Sequence, residues 1–185
     1  MLMLLALQAG MINSELQRLK SENVRLGDEV LHIQVTGEVK TRDRLRTVPI
    51  TVGVRWLRKA FKELEDGSGW AMGQSFHTAS DSTISKRIVV ALESYRQRDN
   101  RRYSAYSFRH AFKANAIAHN AGDRYLYIAG WKNKETAISD TYARDAMTQV
   151  EVLGGLREVS ETINRHLLDI DYLTLVAPPE IQDRA

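Results

Sequence analysis

The chain has 185 residues, 43% of them apolar, which is enough for one sizeable hydrophobic core and too short for two ordinary domains. A net charge of +3 and a pI near 9.2 are compatible with a nucleic-acid partner. Without cysteine there is neither disulfide nor thiolate metal site, and His32, His77, His110, His119 and His166 show no metal-ligand spacing, so no bound metal is expected.

The apolar opening from Met1 to Ala6 is too short for a signal sequence or membrane span. It reads as part of a buried helix over residues 1–9, stopped by Gly10, in a soluble protein of the cytoplasm that makes no membrane contact. Ser14 is an expected N-cap for a short helix carrying Glu15, Leu16 and Leu19. Alternation between Glu29 and Val35 predicts a strand, Thr36-Gly37 a turn, and Glu38 to Ile50 one or two more strands with a basic tip. Pro49 suits a strand end because it cannot donate to a ladder.

Val54, Leu57, Phe61 and Leu64 have helical spacing, with Thr51 as the expected cap and Asp66-Gly67-Ser68-Gly69 as the break. One helix is predicted over Ser82–Arg96, a loop over Arg96–Arg102, and a helix from Ser107 to about Asn120. Shorter helices are expected over Tyr125–Ala129 and Thr136–Met147, and a longer one over Leu156–Leu168 after a break at Gly154-Gly155. Residues 169–185, with Pro178-Pro179, read as an extended tail. The layout is a single, mainly α domain over 1–185 with a small antiparallel β-sheet near the N-terminus. Trp56 and Trp70 read as packing residues, and His110 as a structural residue at the helix–core boundary.

Several short stretches fall in one order along this layout. Gly10-Met11-Ile12-Asn13-Ser14-Glu15-Leu16 is followed by Lys40-Thr41 and Arg46-Thr47-Val48-Pro49. Then come Tyr106-Ser107-Phe108-Arg109-His110, Gly130-Trp131 and Thr141-Tyr142-Ala143. In this order they resemble the motifs of the tyrosine recombinase (phage integrase) catalytic domain, from about Leu4 to Met147. The resemblance implies a recombinase-like fold and a site that breaks and rejoins DNA strands through a 3′-phosphotyrosyl link, as in site-specific recombination and integration of mobile DNA.

By this resemblance Tyr142 is the nucleophile, Arg109 holds the non-bridging phosphate oxygens and Trp131 offers them its indole N–H. Lys40 acts as general acid, and Tyr106 stands where the family has histidine. A guanidinium suits the charge role because its planar fork binds two oxygens and never deprotonates. The phosphotyrosine stores the bond energy, so no cofactor is needed. Double-stranded DNA is the implied partner, with Lys40, Arg42, Arg44, Arg109, Lys132 and Lys134 as candidate contacts; Arg46 is read as flanking its strand. The segment from Leu156 either folds back on its own core or docks on a neighbouring recombinase protomer.

Two positions depart from the family pattern. Ile12 replaces the first arginine, which leaves Glu15 without its expected partner, and Tyr106 shuttles protons poorly at neutral pH. The first helix of the family domain has no counterpart before Met1, so the chain is expected to be truncated there and to lack the upstream DNA-binding domain. Two functions follow as alternatives. One is a recombinase enzyme, with impaired turnover; the other is a weakened relative that binds DNA or intact recombinases without turnover. A topoisomerase-like nicking and closing activity is a minor third.

Overall fold

The computed structural model describes residues 1–36, 46–131 and 150–167. Most of them are helical, and one small antiparallel sheet lies near the N-terminus. The predicted Thr36-Gly37 turn, the basic tip, the Thr136–Met147 helix and the 169–185 tail lie outside the described residues.

Helix α1 (Leu2–Ala9) is buried through Leu5, Ala6, Gln8 and Ala9, and Gly10 ends it in the left-handed conformation at φ 61°. The glycine also meets a space limit, because a Cβ there would lie 3.2 Å from Phe112 Cδ1 and 3.3 Å from Ala129 Cβ. Helix α2 (Asn13–Gln17) starts one residue before Ser14, with Ile12 as its N-cap. An isoleucine side chain cannot accept a hydrogen bond. Glu15 does the capping instead, its Oε2 accepting from the Ile12 N–H at 3.1 Å.

A 3₁₀ turn (Ser21–Asn23) leads into β1 (Val24–Leu26), a strand the sequence did not announce, which pairs antiparallel with β2 (Leu31–Val35). β2 in turn pairs antiparallel with β3 (Arg46–Ile50). The register sets Leu31 opposite Ile50, Ile33 opposite Val48 and Val35 opposite Arg46, so these six share one face. That face is buried at every position. Pro49 sits on β3 at the sheet edge, opposite His32, where its missing N–H costs no ladder bond.

Helix α3 (Val54–Glu63) buries Val54, Leu57 and Phe61 as their spacing predicts. Its N-cap is Gly53 at φ 67°, while Thr51 turns its Oγ1 to Ser160 Oγ at 3.3 Å. After the break at Asp66–Gly69 comes α4 (Gln74–His77), then α5 (Asp81–Ala91), capped by Ser80 Oγ accepting from Thr83 N–H. The helix predicted to reach Arg96 in one piece is interrupted at Leu92 (φ −102°, ψ 5°) and resumes as α6 (Glu93–Asp99). Residues 96–99 are therefore helical and not a loop. Glu93 accepts from Arg96 at 2.9 Å and from Gln97 at 3.3 Å, which ties the turn together.

Helix α7 (Ala105–Ala118) starts before the predicted Ser107, because Ser104 is the cap and its N–H donates to Ser107 Oγ at 3.0 Å. Tyr106 therefore lies in the helix's first turn. Helix α8 (Arg124–Ala129) ends at Gly130, φ 66°, and the Trp131 N–H donates back to the Leu126 carbonyl at 2.8 Å. Helix α9 (Val150–Asn164) runs straight through Gly154-Gly155 and passes into a 3₁₀ turn (Arg165–Leu167). The predicted break is absent because Leu156, Ser160, Ile163 and Asn164 form a buried face whose packing outweighs the glycines' low helix propensity.

α1 lies against α7, β3 and α9, and these meet in one apolar cluster that includes Leu5, Met11, Ile33, Ile50, Phe112 and Ile128. Leu156, Ile163 and Leu167 are buried, Leu156 and Ile163 as members of this cluster, so over 150–167 the C-terminal segment packs on its own chain. Among the described residues no helix is long and apolar enough to cross a membrane.

Candidate nucleic-acid interface

Arg109 lies on the inward side of α7 and is only 4% exposed. Its Nη1 donates to the Gly10 carbonyl, and its Cζ lies 4.5 Å from the centroid of the Trp131 ring. A guanidinium at that distance from an indole face is a cation–π contact, which fixes the plane of the fork. Trp131 is held in turn by Tyr125 at 6.2 Å, edge to face, and by Phe112 at 6.2 Å, tilted. Residues far apart in sequence, Gly10, Arg109 and Trp131, thus meet at one point.

Directly behind this point is a buried ion pair. Arg46 Nη1 lies 2.9 Å from Glu15 Oε1 and Nη2 lies 3.1 Å from Oε2, a bidentate fork, while Nε donates to the Ile128 carbonyl at 2.8 Å. The two side chains are 0% and 3% exposed. This overturns two expectations. Glu15 is not left without a partner, and Arg46 does not merely flank its strand. The reason is the two-residue period of β3, which turns position 46 inward with Val48 and Ile50. Arg46 also packs so closely on Gly130 that a Cβ there would stand 2.8 Å from its Nη1.

Beside the pair, the Tyr127 hydroxyl accepts from the Thr47 N–H at 3.1 Å. Burial pushes the Tyr127 pKa up to about 12, against the smaller opposing effects of that hydrogen bond and of Arg46. Its hydroxyl is thereby committed to the backbone of β3.

Tyr106 is 57% exposed, and its ring meets that of His110 edge to face at 4.6 Å. His110 is exposed, not at the helix–core boundary as expected. Lys113, one turn beyond Arg109, holds its Nζ 5.9 Å from the Trp131 centroid. Ile12 is half-buried at the start of α2. Trp56 packs on the core, and Trp70 stacks on His77 at 3.6 Å.

Of the sequence-predicted site residues, the fold brings Arg109 and Trp131 together, while Tyr106, three residues before Arg109 on α7, is exposed with its ring against His110. Lys40, Arg42, Arg44, Lys132, Lys134 and Tyr142 lie outside the described residues. Lys113, the Gly10 carbonyl and the pairing of Glu15 with Arg46 are what sequence reasoning missed. The inward register of Arg46 and the position of Lys113 one helical turn after Arg109 were the signals available for two of them. Among the described residues no group of three or more His, Asp and Glu could hold a metal ion. Comparison with protein-family models, curated proteins and solved structures finds no match to the chain.

Proposed function

We propose that the chain is a tyrosine-recombinase-type catalytic domain that seats a DNA phosphodiester at Arg109 and Trp131 and cleaves it with Tyr142. The contact of the Arg109 guanidinium with the Trp131 ring carries the reading. It joins two of the ordered motifs at one place, with a donor fork and an indole suited to phosphate oxygens. In this reading Tyr142 attacks the phosphorus, the 5′ oxygen leaves with a proton from Lys40, and a 3′-phosphotyrosyl bond conserves the energy for religation. Tyr106, with its phenol open to solvent, donates a hydrogen bond to a phosphate oxygen. The Arg46 fork neutralises Glu15, so this carboxylate does not oppose the bound anion.

The absence of an arginine at Ile12 supports a second reading, in which the domain binds DNA or intact recombinases without turnover. By analogy with a lost oxyanion-hole donor, that absence costs about 3–4 kcal/mol in the transition state, or roughly 10²–10³ in rate.

Nicked suicide duplexes distinguish the two readings. An active domain gives a covalent adduct on denaturing gels that Tyr142→Phe abolishes and Ile12→Arg increases. Salt-sensitive binding that yields no adduct even with Ile12→Arg, and that Arg109→Ala weakens, supports the reading without turnover. Absence of both adduct and binding removes the recombinase reading.

A further inference from the structure

Resting on that reading of the Arg109 site, we propose that Lys113 is its second phosphate-binding cation and takes the charge role left open by Ile12. Arg109 and Lys113 are four residues apart on α7 and therefore share a side of the helix. Both reach the same indole, with Arg109 Cζ 4.5 Å and Lys113 Nζ 5.9 Å from the Trp131 centroid. Arg109 is buried and Lys113 exposed, so the two cations are staggered from the floor of the site to its rim.

Among the described residues, the other cation close to this point does not supply this role. Arg46, though close behind, spends its fork on Glu15 and its Nε on the Ile128 carbonyl, and its side chain is 0% exposed. Among the described residues Lys113 has no carboxylate partner. With Glu15 already neutralised, Lys113 brings to the aromatic wall that Arg109 also meets a positive charge with no carboxylate partner among the described residues. The ligand chemistry this selects is a phosphate diester anion, gripped from below by a planar fork and from the rim by a mobile ammonium.

The test is binding of a fluorescein-labelled duplex to the full chain, followed by anisotropy over a range of salt concentrations. Lys113→Gln should weaken binding several-fold and reduce the slope of log K against log salt, by up to about 0.9 for one phosphate contact, while Lys113→Arg keeps both near wild type. If the two cations share one phosphate, the losses from Lys113→Gln and Arg109→Gln are non-additive in the double variant. Should Arg109→Gln fail to fold, Arg109→Lys takes its place in the cycle, since it keeps a charge but loses the fork. Additive losses overturn the inference by assigning Lys113 to a different phosphate. An unchanged slope in Lys113→Gln, with binding lost in the Arg109 variant, overturns it and leaves the Arg109 site standing. No effect from either variant removes both.

Discussion

Glu15 and Arg46 illustrate how a single residue's role depends on its register. A carboxylate and a guanidinium that are 3% and 0% exposed cannot be left unpaired without a large desolvation cost. Glu15→Gln or Arg46→Met alone should destabilise the fold by about 3–5 kcal/mol in urea unfolding. The double variant Glu15→Leu with Arg46→Met should cost much less than the sum, because it removes the orphaned charge along with its partner. Additive costs would show that the two side chains act independently. The pair was legible in part. Arg46, Val48 and Ile50 alternate with Thr47 and Pro49, so any strand that buries Val48 and Ile50 also turns Arg46 inward. A reading that treats arginine as a surface residue passes over that alternation. The Arg109–Trp131 contact was anticipated from the order of the motifs, yet the reliance of Arg109 on the Gly10 carbonyl was not, because no pattern of side chains marks a backbone acceptor.

Among the elements, those with strong apolar periodicity follow the sequence closely. α1, α3 and α8 lie within a residue or two of the predicted bounds, whereas α9 was shortened by weighing Gly154-Gly155 above the inward row that follows. The split at Leu92 had no signal at all, since neither proline nor glycine stands there. β1 was missed because three residues with half-buried and exposed side chains carry no alternation to detect. The Asp66–Gln74 connection is organised by one carboxylate. Asp66 accepts from the Ser68 N–H at 3.0 Å and the Gln74 N–H at 2.7 Å. The Ser68 hydroxyl, then these backbone donors, hold its pKa down to about 2 from 3.8. The unfolded chain therefore binds this proton first as pH falls. The stabilisation is present above about pH 4 and is lost towards pH 2. Protection of the Ser68 and Gln74 amides, measured against intrinsic exchange at each pH, should fall over that range, and Asp66→Asn should flatten the acid limb. An acid limb unchanged by Asp66→Asn would exclude this carboxylate as its source.

At the scale of the whole molecule, α9 is fastened to the rest by polar side chains as well as apolar ones. Gln8 exchanges two hydrogen bonds with the Val52 backbone, Nε2 to the carbonyl at 2.9 Å and Oε1 from the N–H at 3.0 Å. The Gln8 carbonyl takes Asn164 Nδ2 at 3.2 Å, and Ser160 Oγ donates to the Pro49 carbonyl at 3.0 Å. α1, β3 and α9 are thereby held in one alignment. Asn164→Ala leaves the buried Gln8 carbonyl without this donor and should cost about 1–3 kcal/mol. Hydrogen exchange should quicken in α9 and α1 and much less in α5. A uniform loss of protection across all helices would show that α9 is not a separable unit.

The inward anchoring of Arg46 has a consequence for how this chain tolerates change. Val35 and Arg46 face each other across the last rung of the β2–β3 ladder, and Arg46 is bolted to two other elements. The core secures that rung independently of the residues between them. Lengthening or replacing residues 37–45 should therefore leave the sheet and its ion pair intact, because the entropy of closing a loop rises only about 0.6 kcal/mol per doubling of length. The sheet and its ion pair thus tolerate exchange of a segment whose Lys40, in the proposed reaction, any cleaving variant has to retain, as a socket that accepts more than one cartridge.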